Sequence, residues 1–138
     1  MATKYNKGFT LIELLVVVAI VGLLSAVVLG QLSTARNKGK DASIKSTMNS
    51  APSAAQLYYD IYNNGQWNGV CTANNGLNNI VTKLGEITTV YCNGTGQNGW
   101  MIYAQLKSQT GYWCMDSFGG KKFCASTPAA GYTCPVSC

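Results

Sequence analysis

From Phe9 to Leu29 the chain is apolar at nearly every position, with no polar stripe at helical spacing. A helix that is hydrophobic all round has no solvent face, and about 20 residues at 1.5 Å each cross a bilayer's hydrocarbon core of about 30 Å. The pattern therefore predicts a membrane-length helix. Glu13 is its only charge. Placing a carboxylate within hydrocarbon costs on the order of 2.5–3.5 kcal/mol on insertion scales, so such a residue needs a partner and a task. The pattern then changes. Ile44, Met48, Ala51, Ala55, Tyr58 and Tyr62 recur at alternating steps of four and three, which predicts a helix running to about Tyr62 with one face packed on a folded domain.

Breakers punctuate this helix. Gly22 and Gly30 weaken it, since interior glycine costs about 1 kcal/mol relative to alanine. Pro52 lacks a backbone donor, so the helix kinks there unless Ser50 caps a new segment with Pro52 in its first turn. Asn63-Asn64-Gly65 supplies residues tolerant of the left-handed conformation that ends a helix. Leu77, Ile80, Val81 and Leu84 suit one short amphipathic helix. Runs rich in β-branched and aromatic residues follow, at Ile87–Cys92, Trp100–Lys107, Tyr112–Met115 and Lys121–Ala125, separated by glycine-containing turns. They predict an antiparallel meander. In the second run Trp100, Ile102, Ala104 and Leu106 form the face expected to meet the helix, with Met101, Tyr103, Gln105 and Lys107 facing solvent or a neighbour. The stretch from Ser126 to Cys138, with Pro128 and Pro135, has no period and reads as a loop. The predicted fold is α+β: a long amino-terminal helix packed on a small antiparallel sheet, with a terminal loop stapled by disulfides.

The 138-residue chain leaves room for one modest domain beyond the span. All six cysteines, Cys71, Cys92, Cys114, Cys124, Cys134 and Cys138, fall in that domain. An even count in a small exported domain predicts three disulfides, and six positions allow fifteen pairings. Our expectation joins Cys71 to Cys92 across the short helix and uses the other four to tie the sheet to the terminal loop. Zinc sites favour closely paired ligands such as C-x-x-C with added histidine, and the chain has no histidine and no such pair. No metal or other cofactor is expected. Enzyme constellations are missing too, because a nucleophile needs a base, a metal or positioned acids. Glu86 and Asp116 read as ordinary surface acids. Asn93-Gly94-Thr95 fits a glycosylation sequon, which a turn after Cys92 explains equally well.

The segment Gly8-Phe9-Thr10-Leu11-Ile12-Glu13-Leu14-Leu15-Val16 resembles the amino-terminal signature of type IV pilins and pseudopilins, and the likeness covers the whole apolar helix. Beyond about the first sixty residues it is one of architecture only. The resemblance implies that residues 1–8 are a leader cut by a membrane peptidase between Gly8 and Phe9, and that the same enzyme methylates Phe9. It implies a span at 9–30, a helical continuation at 31–64 and a head at 65–138. Phe9's amine and Glu13's carboxylate are then the assembly pair between neighbouring subunits, and Gly30 is where the helix loosens in the filament. Partners would be further copies of the chain, the peptidase, the assembly platform and the cytoplasmic membrane; exposed Tyr and Trp leave surface or DNA binding open. The destination would be a filament outside the cell. Net charge is +5, with Lys4 and Lys7 in the leader and Arg36, Lys38, Lys40 and Lys45 just past the span. The positive-inside rule would keep the latter in the cytoplasm. The resemblance implies the opposite orientation and, being more specific, is preferred. Two alternatives stand beside a pilus subunit: a pseudopilin of a type II secretion system, and a membrane-tethered binding module outside the cytoplasm.

Overall fold

The computed structural model describes residues 8–94, 97–136 and 138. The chain divides into two compact units, one ending at Arg36 and the other running from Asn37 to Cys138. In the first, every described residue is exposed. Helix α1, Leu11–Met48, begins there and is helical through both Gly22 and Gly30. It contains an apolar window long enough to cross a membrane, none of it buried by the protein. Burying such a surface needs lipid or other protein.

The second unit carries the hydrophobic core. Ile44 and Met48 of α1 are buried, and helix α2, Ala51–Leu57, continues their face with Ala51 and Ala55. The α-helix does not run unbroken to Tyr62. It stops at Asn49-Ser50, where the Ser50 hydroxyl donates back to the Thr47 carbonyl at 2.8 Å rather than capping α2. Pro52 then sits in the first turn of α2, where its missing N–H would have had no helical acceptor. A π-helical turn follows at Tyr58–Tyr62. Its wider i→i+5 winding rotates later residues off the buried face. Tyr58 stays in the core and Tyr62 is exposed, contrary to the periodicity. Asn64 and Gly65, at φ of 48° and 77°, make the left-handed exit.

Helix α3, Asn78–Gly85, buries Ile80 and Leu84. Four strands form one antiparallel sheet in the order β1-β2-β3-β4: Val90–Gly94, Trp100–Gln105, Tyr112–Asp116 and Lys121–Cys124. β1 starts three residues later than Ile87, since Ile87 and Thr88 close the end of α3 by donating to the Leu84 carbonyl. Trp100, Ile102, Ala104 and Leu106 join the helical residues in one core, as alternation requires. The opposite face, expected to meet solvent or a neighbour, is partly covered by the chain itself: Lys107 is exposed, while Tyr103 and Gln105 are half-buried. Met101 is fully buried beneath a second cluster with Cys114, Cys124 and Cys134, against which Tyr103, Tyr112 and Cys138 pack. Two disulfides fold the aperiodic tail over this side of the sheet.

Candidate processing and assembly site

Gly8 and Phe9 lie in exposed, non-helical chain just before α1, and residues 1–7, the expected leader, fall outside the described residues. Thr10 occupies the position before the first helical turn. Its backbone N–H and hydroxyl both donate to Glu13 Oε2, at 2.9 and 2.7 Å. The Glu13 N–H in turn reaches the Thr10 hydroxyl at 3.3 Å. This is a capping box: two otherwise unpaired donors at the helix start are satisfied by side chains three residues apart. The Thr-x-x-Glu spacing carried that signal, which a sequence reading concerned with charge alone passes over. Placing an acid in the first turn also suits the positive end of the helix dipole. Glu13's charge is thereby satisfied within its own chain.

Further along, a Cβ added to Gly30 would meet nothing within 4 Å, so no neighbour within the chain requires glycine there.

The second unit holds its loops with buried carboxylates and disulfides. Asp41 Oδ1 accepts the Lys107 N–H at 2.5 Å, while Oδ2 accepts the Ser108 N–H at 3.0 Å and the Ser108 hydroxyl. Burial alone would raise the Asp41 pKa. The bonds from Lys107 and Ser108, with the nearby positive charge of Lys45, outweigh it and hold the carboxyl below its ordinary value. Lys45 Nζ itself rests 4.6 Å from the centre of the Trp113 ring. Asp116, expected at the surface, is buried. Its Oδ1 accepts the N–H groups of Phe118 and Gly120, closing the β3–β4 turn, and its Oδ2 accepts the Cys134 N–H at 2.7 Å. Sequence pattern gave no sign of either clamp, because both join segments distant along the chain.

The six cysteines form three disulfides, Cys71–Cys92, Cys114–Cys134 and Cys124–Cys138. The first spans α3 and ties the preceding loop to β1. The other two fix the tail on β3 and β4. Asn93 donates to the Gly131 carbonyl at 3.1 Å, so the sequon's amide serves to hold the tail. On the same face Tyr103 stacks on Tyr91 and meets Tyr112 edge-on. Burial, with the adjacent phenols of Tyr91 and Tyr112, pushes the Tyr103 pKa up.

The prokaryotic N-terminal methylation motif matches residues 3–29, the stretch containing the Gly8–Phe9 junction, the capping box and the apolar helix. The amino-terminal segment is that of the type IV pilin and pseudopilin family. Two relatives agree. The chain is 42% identical over 52 residues to the type IV wide pilus major component PilA4 of Thermus thermophilus, a match covering 38% of this chain and 40% of that protein. It is 38% identical over 105 residues to a fimbrial protein of Neisseria meningitidis serogroup B, covering 75% of this chain and 56% of the relative. The chain thus spans about half the length of these relatives. No solved structure matches it.

Proposed function

We propose that the chain is a pilin, the structural subunit of a type IV pilus-like filament, made as a membrane precursor with its carboxyl-terminal unit outside. Residues 1–8 are the leader and 9–30 the span. Residues 31–64 are the helical link and 65–138 the head. Cleavage between Gly8 and Phe9 frees an amine that is then methylated. Only then does Glu13 acquire a cationic partner, the Phe9 amine of a neighbouring subunit, and the pair forms as the helices leave lipid for the filament core. Gly30 is the point of loosening, because interior glycine lowers the cost of opening helical turns.

The observation that carries this reading is the combination, in one chain, of a methylation motif with a helix whose apolar surface is wholly unburied. That surface needs lipid before assembly and other copies afterwards. A heavily disulfide-bonded head suits exposure outside the cell, where cross-links persist. Electron microscopy of material sheared from cells, combined with mass analysis of its amino terminus, tests the proposal. Filaments whose subunit begins at N-methyl-Phe9 are expected. A processed chain confined to the cell envelope, with no extracellular filament, would favour a pseudopilin, and an intact Met1 would refute processing.

A further inference from the structure

Large apolar side chains exposed in the second unit fall mainly into two groups of unlike charge. Leu57, Ile61 and Tyr62, at 50, 61 and 56% exposure, lie on and after α2 beside Asp60. Asp60 is itself held by Gln56, whose amide donates to both carboxylate oxygens at 3.0 and 3.1 Å. Pro52, Ser53, Gln56, Leu57 and Asp60 line an open groove of about 550 Å³ there. The second group is on the β3–β4 hairpin, where Phe118 and Phe123 are 70 and 40% exposed and Lys121 and Lys122 lie between them. Of the rest, Tyr91 is stacked on Tyr103 and Val136 lies in the tail.

β4 is an edge strand of the sheet. Its Lys121 and Phe123 pair with Met115 and Trp113, so they lie on the sheet face that packs on the main core. Met115 is buried, yet Phe123 at the edge is left open. An unprotected edge invites pairing with another chain, and lysines alone are a recognised guard against it. A guard does not account for exposed phenylalanines beside the lysines, nor for an acid-bearing apolar groove elsewhere on the unit. Of the four acids in this unit, Asp41 and Asp116 are buried in clamps. Glu86, just past α3, has none of these exposed apolar side chains beside it in sequence. Asp60 is the exposed acid placed among apolar side chains.

We propose that these two surfaces are the halves of one interface between copies of this chain: the groove around Gln56, Leu57 and Asp60 of one subunit receives Phe123 and Lys121 of the next. An acidic apolar patch cannot pair well with itself, and neither can a basic one. Complementary patches at different places on one molecule make a head-to-tail contact, and such a contact repeats into an open helical array unless it closes in a ring. The inference rests on the filament reading and adds to it a contact between heads, independent of the amino-terminal helix. Charge complementarity fixes register and excludes mispaired neighbours.

A charge swap in the full-length chain, made in cells that assemble the filament, tests this. Sheared filament is measured relative to cellular precursor by immunoblotting. Asp60→Lys and Lys121→Glu each set like charges together, and each is expected to lower filament yield at least about tenfold, the equivalent of about 1.4 kcal/mol. The combined variant restores opposite charges and should recover most of the wild-type yield. Single reversals without effect, or a combined variant no better than its parents, would overturn the interface while leaving the filament reading intact. A wild-type chain forming no filament would refute that reading and the interface with it. The neutral Asp60→Asn and Lys121→Gln variants guard against misfolding: their combined loss should be less than the sum of the separate losses, whereas strict additivity counts against contact.

Discussion

Asp41 offers the most direct test of how the second unit is held together. Replacing it with asparagine keeps the size of the side chain but removes the charge and one acceptor oxygen. Either the Lys107 N–H, or the N–H and hydroxyl of Ser108, then faces an amide NH2 in place of an oxygen. A hydrogen bond to a charged acceptor contributes about 1.5–3 kcal/mol, against about 0.5–1.5 for a neutral one. Lys107 and Ser108 are exposed, so water can partly satisfy the freed donors and the loss should sit near the lower end. About 2 kcal/mol of local stability corresponds to roughly 30-fold faster opening of the segment after β2.

Hydrogen exchange of a peptide covering residues 105–111, measured on the full chain in detergent, reads this directly. The pH dependence provides a second criterion. The folded Asp41 pKa is depressed, so its contribution is complete above the unfolded aspartate value and is lost as pH falls through the lower folded value. Wild type should therefore lose its advantage over Asp41→Asn only in acid, below about pH 4. Equal exchange of the two proteins at neutral pH would refute the clamp. A difference that stays unchanged however far the pH is lowered while the unit remains folded would show that the carboxylate charge is not its source.

Other outcomes follow from the same contacts. Gly8→Glu should leave precursor inserted but uncut, seen as an intact amino terminus by mass analysis, because a side chain at the cut site blocks a narrow peptidase cleft. On the proposed pairing, Glu13→Ala should preserve membrane insertion, which disfavours the charge it removes, while lowering filament yield at least about tenfold; filaments at normal yield would exclude the Phe9–Glu13 pair. Thiol labelling of the unfolded, unreduced chain should find no reactive cysteine. Reduction should release the tail and expose Met101 to oxidation, with the helical circular dichroism largely retained, each loop closure being worth about 2–4 kcal/mol.

The sequence by itself determined the elements whose cause is local. An unbroken apolar run dictates a helix with no solvent face, four-and-three spacing marks the buried positions Ile44 through Tyr58, and alternation assigns Trp100, Ile102, Ala104 and Leu106 to the core. The methylation motif is likewise contiguous. Tertiary structure decided what depends on segments far apart. Asp116 reads as a surface acid until Cys134 is brought to it, and nothing local marks Asp41 for the bonds it accepts from Lys107 and Ser108. Met101 looks solvent-facing until the tail covers it. Tyr62 falls on the predicted stripe and leaves it because a single π turn, which composition does not announce, shifts the phase of the helix. Alternation shows which residues share a face of a sheet, but whether water or another segment covers that face depends on where distant chain is pinned. Here two disulfides, one Asp116 carboxylate and the Asn93 amide do the pinning.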